Sequence, residues 1–147
     1  MITKWDLRFL DMAKLVAGWS KDPRTKVGCV IVRQDKTIAS VGFNGLPRGI
    51  EDLPGRLYDR DTKHKLILHA EENALAFHRQ GSDGGSLTLY TWPVPPCSQC
   101  ACRIIQAGIC RVVSPKLEAD PETERYLDYS LTKSLFEEAH VIYETAQ

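Results

Sequence analysis

Residues 1–147 read as one α/β domain in three layers, a mixed five-stranded sheet flanked by helices. Two patterns predict that architecture. Short β-branched or continuous apolar runs, of which Val27 to Val32 is the clearest, have the character of strands buried on both faces. Later runs alternate with segments whose apolar residues recur at helical spacing. Strands joined through helices pair in parallel, while the first two, joined by a tight turn, pair antiparallel. Composition sets the scale: a chain 43% hydrophobic and 26% charged at this length is an ordinary globular domain, burying about two thirds of its unfolded surface. No apolar run approaches a membrane span, and Met1 to Asp6 lacks the apolar core and cleavage site of a signal peptide, so a cytoplasmic protein is expected.

Taken in order, Thr3 with Asp6 forms a capping-box pattern, and Trp5, Phe9, Met12, Ala13 and Val16 then follow a helix that ends near Gly18. Trp5 and Trp19 read as core or interface anchors. Ser20 to Lys26 is a turn-rich basic segment that leads into the strand Val27 to Val32. Arg33 to Lys36 turns the chain, and Thr37 to Phe43 is the partner strand. Phe43 to Gly49 is a turn rich in glycine and asparagine, and Ile50 to Lys65 is a long polar loop with little periodicity. A helix from about His69 to Gln80 sets Ala70, Ala74 and Phe77 on one side. Leu87 to Thr91 is the third strand, and Trp92 to Pro96 is a stiff linker. The helix from Cys97 to about Ala107 is stopped by Gly108, and Ile109 to Val113 is the fourth strand. Asp120-Pro121 opens one last helix lined by Leu127, Leu131 and Leu135, before a short strand at Ala139 to Tyr143.

Two stretches carry the chemistry. His69-Ala70-Glu71 and Pro96-Cys97-Ser98-Gln99-Cys100 both fall at helix starts. One histidine and two cysteines offer zinc three ligands, His69, Cys97 and Cys100, and leave the fourth position open, as in catalytic rather than structural sites. An open zinc position lets a water become nucleophilic at neutral pH. The i, i+3 spacing of Cys97 and Cys100 on a first helical turn points both thiolates one way, and the positive helix end favours their ionised form. Glu71, two residues past the histidine, is placed to carry a proton without ligating. Five cysteines in a chain with no export signal argue against a disulfide framework. Cys29 and Cys110 then read as small hydrophobes in strands, and Cys102 as pointing away from the metal.

Nineteen basic and nineteen acidic side chains leave no formal charge, which favours a small substrate over a long polyanion. Cations crowd one loop at Lys21, Arg24 and Lys26, where a phosphate contact competes with plain solvation. Asn44, with both donor and acceptor, suits a sugar hydroxyl.

The H-x-E…P-C-x-x-C pattern is the signature of zinc nucleobase deaminases. Together with Ser20-Lys21-Asp22-Pro23, Val27 to Val32, Gly42-Phe43-Asn44-Gly45-Leu46-Pro47 and Ile104 to Gly108, the chain resembles the deoxycytidylate (dCMP) deaminases of the cytidine deaminase superfamily over most of its length. The resemblance implies the same three-layer fold, Zn2+ on His69, Cys97 and Cys100, and Glu71 shuttling a proton from the activated water to N3 of the pyrimidine while C4 is attacked and ammonia departs. It also implies that the backbone at Ala70 fixes the pyrimidine edge, that Asn44 contacts the sugar, and that Lys21 or Arg24 contacts the phosphate. A homo-oligomer, hexamer or dimer, and dCTP and dTTP as effectors belong to the same expectation. Phe43 stands where the family usually has tyrosine, which leaves regulation open.

Related deaminases fit less well. Transfer-RNA adenosine deaminases share the zinc motif but not the Ser20 to Lys26 or Gly42 to Pro47 segments. Riboflavin-pathway deaminases space their zinc cysteines more widely, and free-cytidine deaminases leave the cations without a use. Deaminases of dCTP or of a 5-substituted dCMP could use the same cations. A zinc-stabilised binding module would need a fourth protein ligand, for which Cys102 and His64 are the nearby candidates, and it would leave Glu71 unexplained.

Overall fold

The computed structural model describes residues 1–79, 85–117 and 120–147. Its elements are α1 (Lys4–Ala17), β1 (Gly28–Val32), β2 (Ile38–Phe43), α2 (Pro54–Leu57), α3 (Arg60–Leu66), α4 (Ala70–Phe77), β3 (Thr88–Trp92), α5 (Ser98–Gln106), β4 (Arg111–Pro115), α6 (Pro121–Leu127), α7 (Tyr129–Glu138) and β5 (Ile142–Ala146). The sheet order is β2-β1-β3-β4-β5. Pairs β1·β2 and β1·β3 are antiparallel, and β3·β4 and β4·β5 are parallel. This is the mixed five-stranded sheet expected from the alternation of runs and helices. Among the described residues, no helix is long and apolar enough to cross a membrane.

Alternation along β1 explains why its sequence is apolar throughout. Val30 and Val32 face α1, joining Phe9, Leu10, Ala13 and Val16 in one core. Cys29 and Ile31 face the other way, joining Ala70 and Ala74 of α4, Cys100, Ala101 and Ile104 of α5 and Phe136 of α7. Two glycines let the helices approach. A Cβ on Gly28 would lie 2.0 Å from the Ala13 carbonyl oxygen of α1, and one on Gly42 would lie 2.4 Å from the Ala74 nitrogen of α4. Any side chain at Gly42 would therefore displace the helix that starts at the zinc motif.

Several expectations are corrected. The segment from Ile50 to Lys65 is not a plain loop: it holds α2, with Pro54 at its first turn, and α3, capped by the Asp59 carboxylate accepting from Thr62 N–H. Helices of 4 and 7 residues are too short to display a helical period. The single last helix is two, because Asp128 adopts a left-handed conformation at φ 52 between α6 and α7. The inward face of α7 is consequently Tyr129, Thr132 and Phe136, and Leu131 is exposed. Phe77 ends α4 on the exposed side under the Arg48 guanidinium, Cys110 is exposed as well, and Trp5 and Trp19 lie outside the core, which leaves only the interface half of their reading. Cys110 lies just before β4, which starts two residues later than the apolar run suggested. The expected end of α4 at Gln80 lies outside the described residues.

The capping-box acid of α1 has a second role. Asp6 is 1% exposed, yet its carboxylate accepts from Arg111 Nη1 at 2.7 Å, from Tyr90 Oη at 2.7 Å and from the Thr3 backbone N–H at 2.7 Å. Burial alone would raise its pKa, but Arg111, Tyr90 and Thr3 outweigh it and hold the carboxyl well below the usual carboxylate range. A lowered folded-state pKa contributes stability that is fully present above the unfolded value of about 3.9 and is lost as pH falls further. Acid unfolding midpoints should accordingly move to higher pH in Asp6→Asn, with a loss of about 3 kcal/mol at neutral pH in denaturant titrations. An unchanged neutral stability would mean that Tyr90 and Glu144 satisfy Arg111 and the sheet edge without Asp6.

Candidate active site

Both halves of the zinc motif sit where strands end and helices begin. Strands β2 and β3 run the same way, and their ends lie at the edge of the sheet where β1 starts. Past β2, Gly45 pairs with Leu68, which delivers His69 as the N-cap of α4. Past β3, the linker containing a cis Trp92–Pro93 bond leads to Cys97, the N-cap of α5. The Thr132 hydroxyl of α7 donates to the Pro96 carbonyl at 3.0 Å and pins that linker.

The His69, Cys97 and Cys100 ligand atoms all lie within 4.8 Å of one another. His69 Nδ1 is 3.5 Å from Cys97 Sγ and 3.3 Å from Cys100 Sγ. Bonds of 2.0–2.1 Å from zinc to nitrogen and 2.3 Å to sulfur, set tetrahedrally, separate such atoms by about 3.5 Å. The three donors thus fit zinc in number, chemistry and spacing. The Cys97 thiol is pushed down to about 4, first by its Cys100 neighbour and then by His69 against the opposing effect of burial. Among the described residues, Cys102 is exposed and the His64 ring lies 3.1 Å from Tyr126 Oη, so neither joins the cluster.

Glu71 stands beside the three donors. It is 3% exposed, and Cys100 Sγ donates to its Oε2 at 3.7 Å. Burial raises its carboxyl to about 7. Glu72, the next residue, faces away to accept from the His69 backbone N–H at 3.3 Å and to pair with Arg103, steadying the start of α4.

A cavity of about 310 Å³ opens over this cluster. Its lining includes His69, Ala70, Glu71 and Cys97 with Asn44 and Asp22, the cations Arg24, Arg60 and Lys63, the carboxylates of Asp120 and Glu122, and His64 and Tyr126. Of the residues singled out in the sequence, Ala70, Asn44 and Arg24 line this space. Lys21 does not: it is solvent-exposed and paired with Asp52 at 2.8 Å. Asn44 is buried, and its amide ties down the basic segment, donating to the Thr25 carbonyl at 2.8 Å and accepting from Val27 N–H at 2.9 Å. Lys63 and Arg60 were not legible as site residues, since nothing in a segment without periodicity marks which cations reach the cavity, and Tyr126 of α6 belongs to no motif that would mark it.

The chain matches the family described as "Cytidine and deoxycytidylate deaminase zinc-binding region" over residues 3–115. It is 44% identical to an uncharacterised deaminase of Aliivibrio fischeri across 82% of this chain and 78% of that protein. It is 38% identical to human deoxycytidylate deaminase across 75% of this chain and 64% of that one. In fold it resembles the dCMP deaminase of cyanophage S-TIM5 solved with dCMP and dUMP, with a TM-score of 0.75 over 99% of both chains at 24% identity. This protein therefore belongs to the cytidine and deoxycytidylate deaminase family, whose zinc-binding region it carries from α1 through β4. It is a zinc-dependent deaminase, with His69, Cys97 and Cys100 placed to hold the metal.

Proposed function

We propose that the protein, one domain spanning residues 1–147, converts dCMP to dUMP and ammonia. The observation that carries this reading is Glu71, a buried carboxyl beside three zinc donors in the lining of a cavity that Arg24 and Arg60 also line. Zinc, when bound, supplies Lewis acidity that makes water a nucleophile at neutral pH. Glu71 takes a proton from the attacking water and delivers it to N3 of the pyrimidine as the water oxygen adds to C4, then carries that oxygen's second proton to the amino group, so that C4=O forms as the C4–N bond breaks and ammonia leaves. A carboxyl shielded from solvent holds that proton rather than losing it to bulk water, and the rise towards 7 suits the exchange. The Ala70 backbone, buried against the same wall, is the pyrimidine-edge contact.

The substrate assignment draws on relatives named deoxycytidylate deaminase in human, mouse and yeast, and on the cations of the lining. Arg24 and Arg60 are exposed and have no ion pair among the described residues, so they are the groups offered to a 5′-phosphate. Lys21, held by Asp52 and outside the cavity lining, is not among the groups offered to the phosphate. A cytoplasmic homo-oligomer is part of the same reading, with Trp19 and Phe43 in an exposed edge-to-face pair available as contact surface.

Loss of absorbance should reveal turnover of dCMP by the zinc-loaded protein when deoxycytidine, dCMP and dCTP are compared side by side. Addition of dCTP and of dTTP to the dCMP reaction tests regulation in the same experiment. Turnover of dCTP but not dCMP would keep the zinc chemistry and overturn the substrate, and no turnover of any would overturn the reading.

A further inference from the structure

Lys63 is an unusual residue to find inside a protein that has no net charge. It is 7% exposed, lines the cavity, and its ammonium makes one ion pair, with Asp22 Oδ1 at 3.2 Å. An ammonium carries three donors, so two N–H groups have no protein partner among the described residues. Buried donors left unmet are costly, and one that lines a ligand cavity is naturally met by the ligand.

Charge balance indicates which ligand atom that is. Lys63 and Asp22 neutralise each other, so the pair presents no net charge to a substrate, whereas Arg24 and Arg60, the latter over the Tyr126 ring, are exposed and have no ion pair among the described residues, although the Asp120 and Glu122 carboxylates line the same cavity. Phosphate belongs with the two arginines, and Lys63 is left for a neutral acceptor. Asn44 supplies the complement. Its Nδ2 donates to the same Asp22 carboxylate at 3.3 Å, and among the described residues its Oδ1 accepts only the Val27 N–H, leaving one lone pair. Asp22 also accepts from Arg24 N–H at 2.8 Å and Thr25 N–H at 3.2 Å, which fixes the carboxylate between the two side chains. A free donor and a free acceptor hung on one carboxylate are what a hydroxyl requires. A 2′-deoxynucleoside 5′-monophosphate has one free sugar hydroxyl, at the 3′ carbon.

Resting on the dCMP reading above, we propose that Lys63 is a specificity-determining residue that donates to the 3′-hydroxyl oxygen of the substrate while Asn44 Oδ1 accepts the hydroxyl proton. The test compares kcat/KM for dCMP and for 2′,3′-dideoxycytidine 5′-monophosphate in the zinc-loaded wild type, Lys63→Met and Lys63→Gln. The wild type should prefer dCMP by at least about 100-fold, since a site built around a hydroxyl rejects an analogue that lacks it. In Lys63→Met the preference should shrink to within about tenfold, and Lys63→Gln, whose amide keeps a donor, should fall between. Because the ratio is taken within one preparation, partial misfolding cancels. Equal losses on both substrates, with the preference intact, would reduce Lys63 to a counter-ion of Asp22 and overturn the proposal, as would a wild type with no preference. Absence of any rate on either substrate would instead overturn the functional reading, and this inference with it. Should the variants fold poorly, a crystal structure of the wild type with dUMP decides: Lys63 Nζ within about 3.2 Å of O3′ is expected, and a gap beyond hydrogen-bond reach overturns the assignment.

Discussion

Glu71→Gln should keep its zinc and its fold and lose about 10³-fold in kcat. The substitution is nearly isosteric and leaves His69, Cys97 and Cys100 untouched, so metal content measured on the purified variant should equal that of the wild type. What disappears is the buried carboxyl that stands against Cys100 and can take up and release a proton. Stability should not fall with it. A carboxylate taken out of water costs free energy that a neutral amide does not, so the variant's Tm is expected to match or exceed the wild type's. An active variant with full zinc would remove Glu71 from the mechanism. An inactive variant lacking zinc would show instead that Glu71 supports the metal site, so the paired measurement separates the two roles.

How much of this was readable in advance depends on whether a residue announces itself through spacing or only through contact. His69, Glu71, Cys97 and Cys100 were legible because coordination chemistry demands particular residue types at helix starts, and proline, alanine and strand-like runs around them located those starts. The strand β1 was legible because burial on both faces leaves only apolar residues. Asp6 was half legible: its capping role follows from Thr3 three residues earlier, whereas its bond to Arg111 spans 105 residues. Lys63 was illegible, because α3 has 7 residues and the lysine's burial depends on Asp22, 41 residues away. Of the leucines at 127, 131 and 135, Leu135 does pack against the core and Leu127 lines the cavity, but the exposed Leu131 misled for a related reason. Their spacing of four is helical, but a left-handed Asp128 resets the helix phase, and the buried face passes to Tyr129, Thr132 and Phe136.

Replacement of either zinc cysteine should have an effect at least as large as loss of Glu71, and thiol counting distinguishes the metal site from a redox pair. Cys102 and Cys110 are exposed, Cys29 and Cys100 are buried, and Cys97 is half-buried. In the zinc-loaded protein a thiol reagent should therefore reach two cysteines quickly, Cys102 and Cys110. Chelation should release one zinc per chain and make Cys97 and Cys100 reactive too, with a fall in Tm, because a ligand that binds only the folded state stabilises it by mass action. Cys100→Ala should purify without zinc and with activity reduced more than about 10³-fold, since the two remaining donors cannot hold the metal in an open tetrahedral site. Cys102→Ala, two residues further along α5 and turned to solvent, should retain both metal and rate. A disulfide between Cys97 and Cys100 in the freshly isolated protein, with no zinc and full activity, would be the opposite result: it would assign the pair to redox chemistry and leave His69 and Glu71 without a reaction to serve.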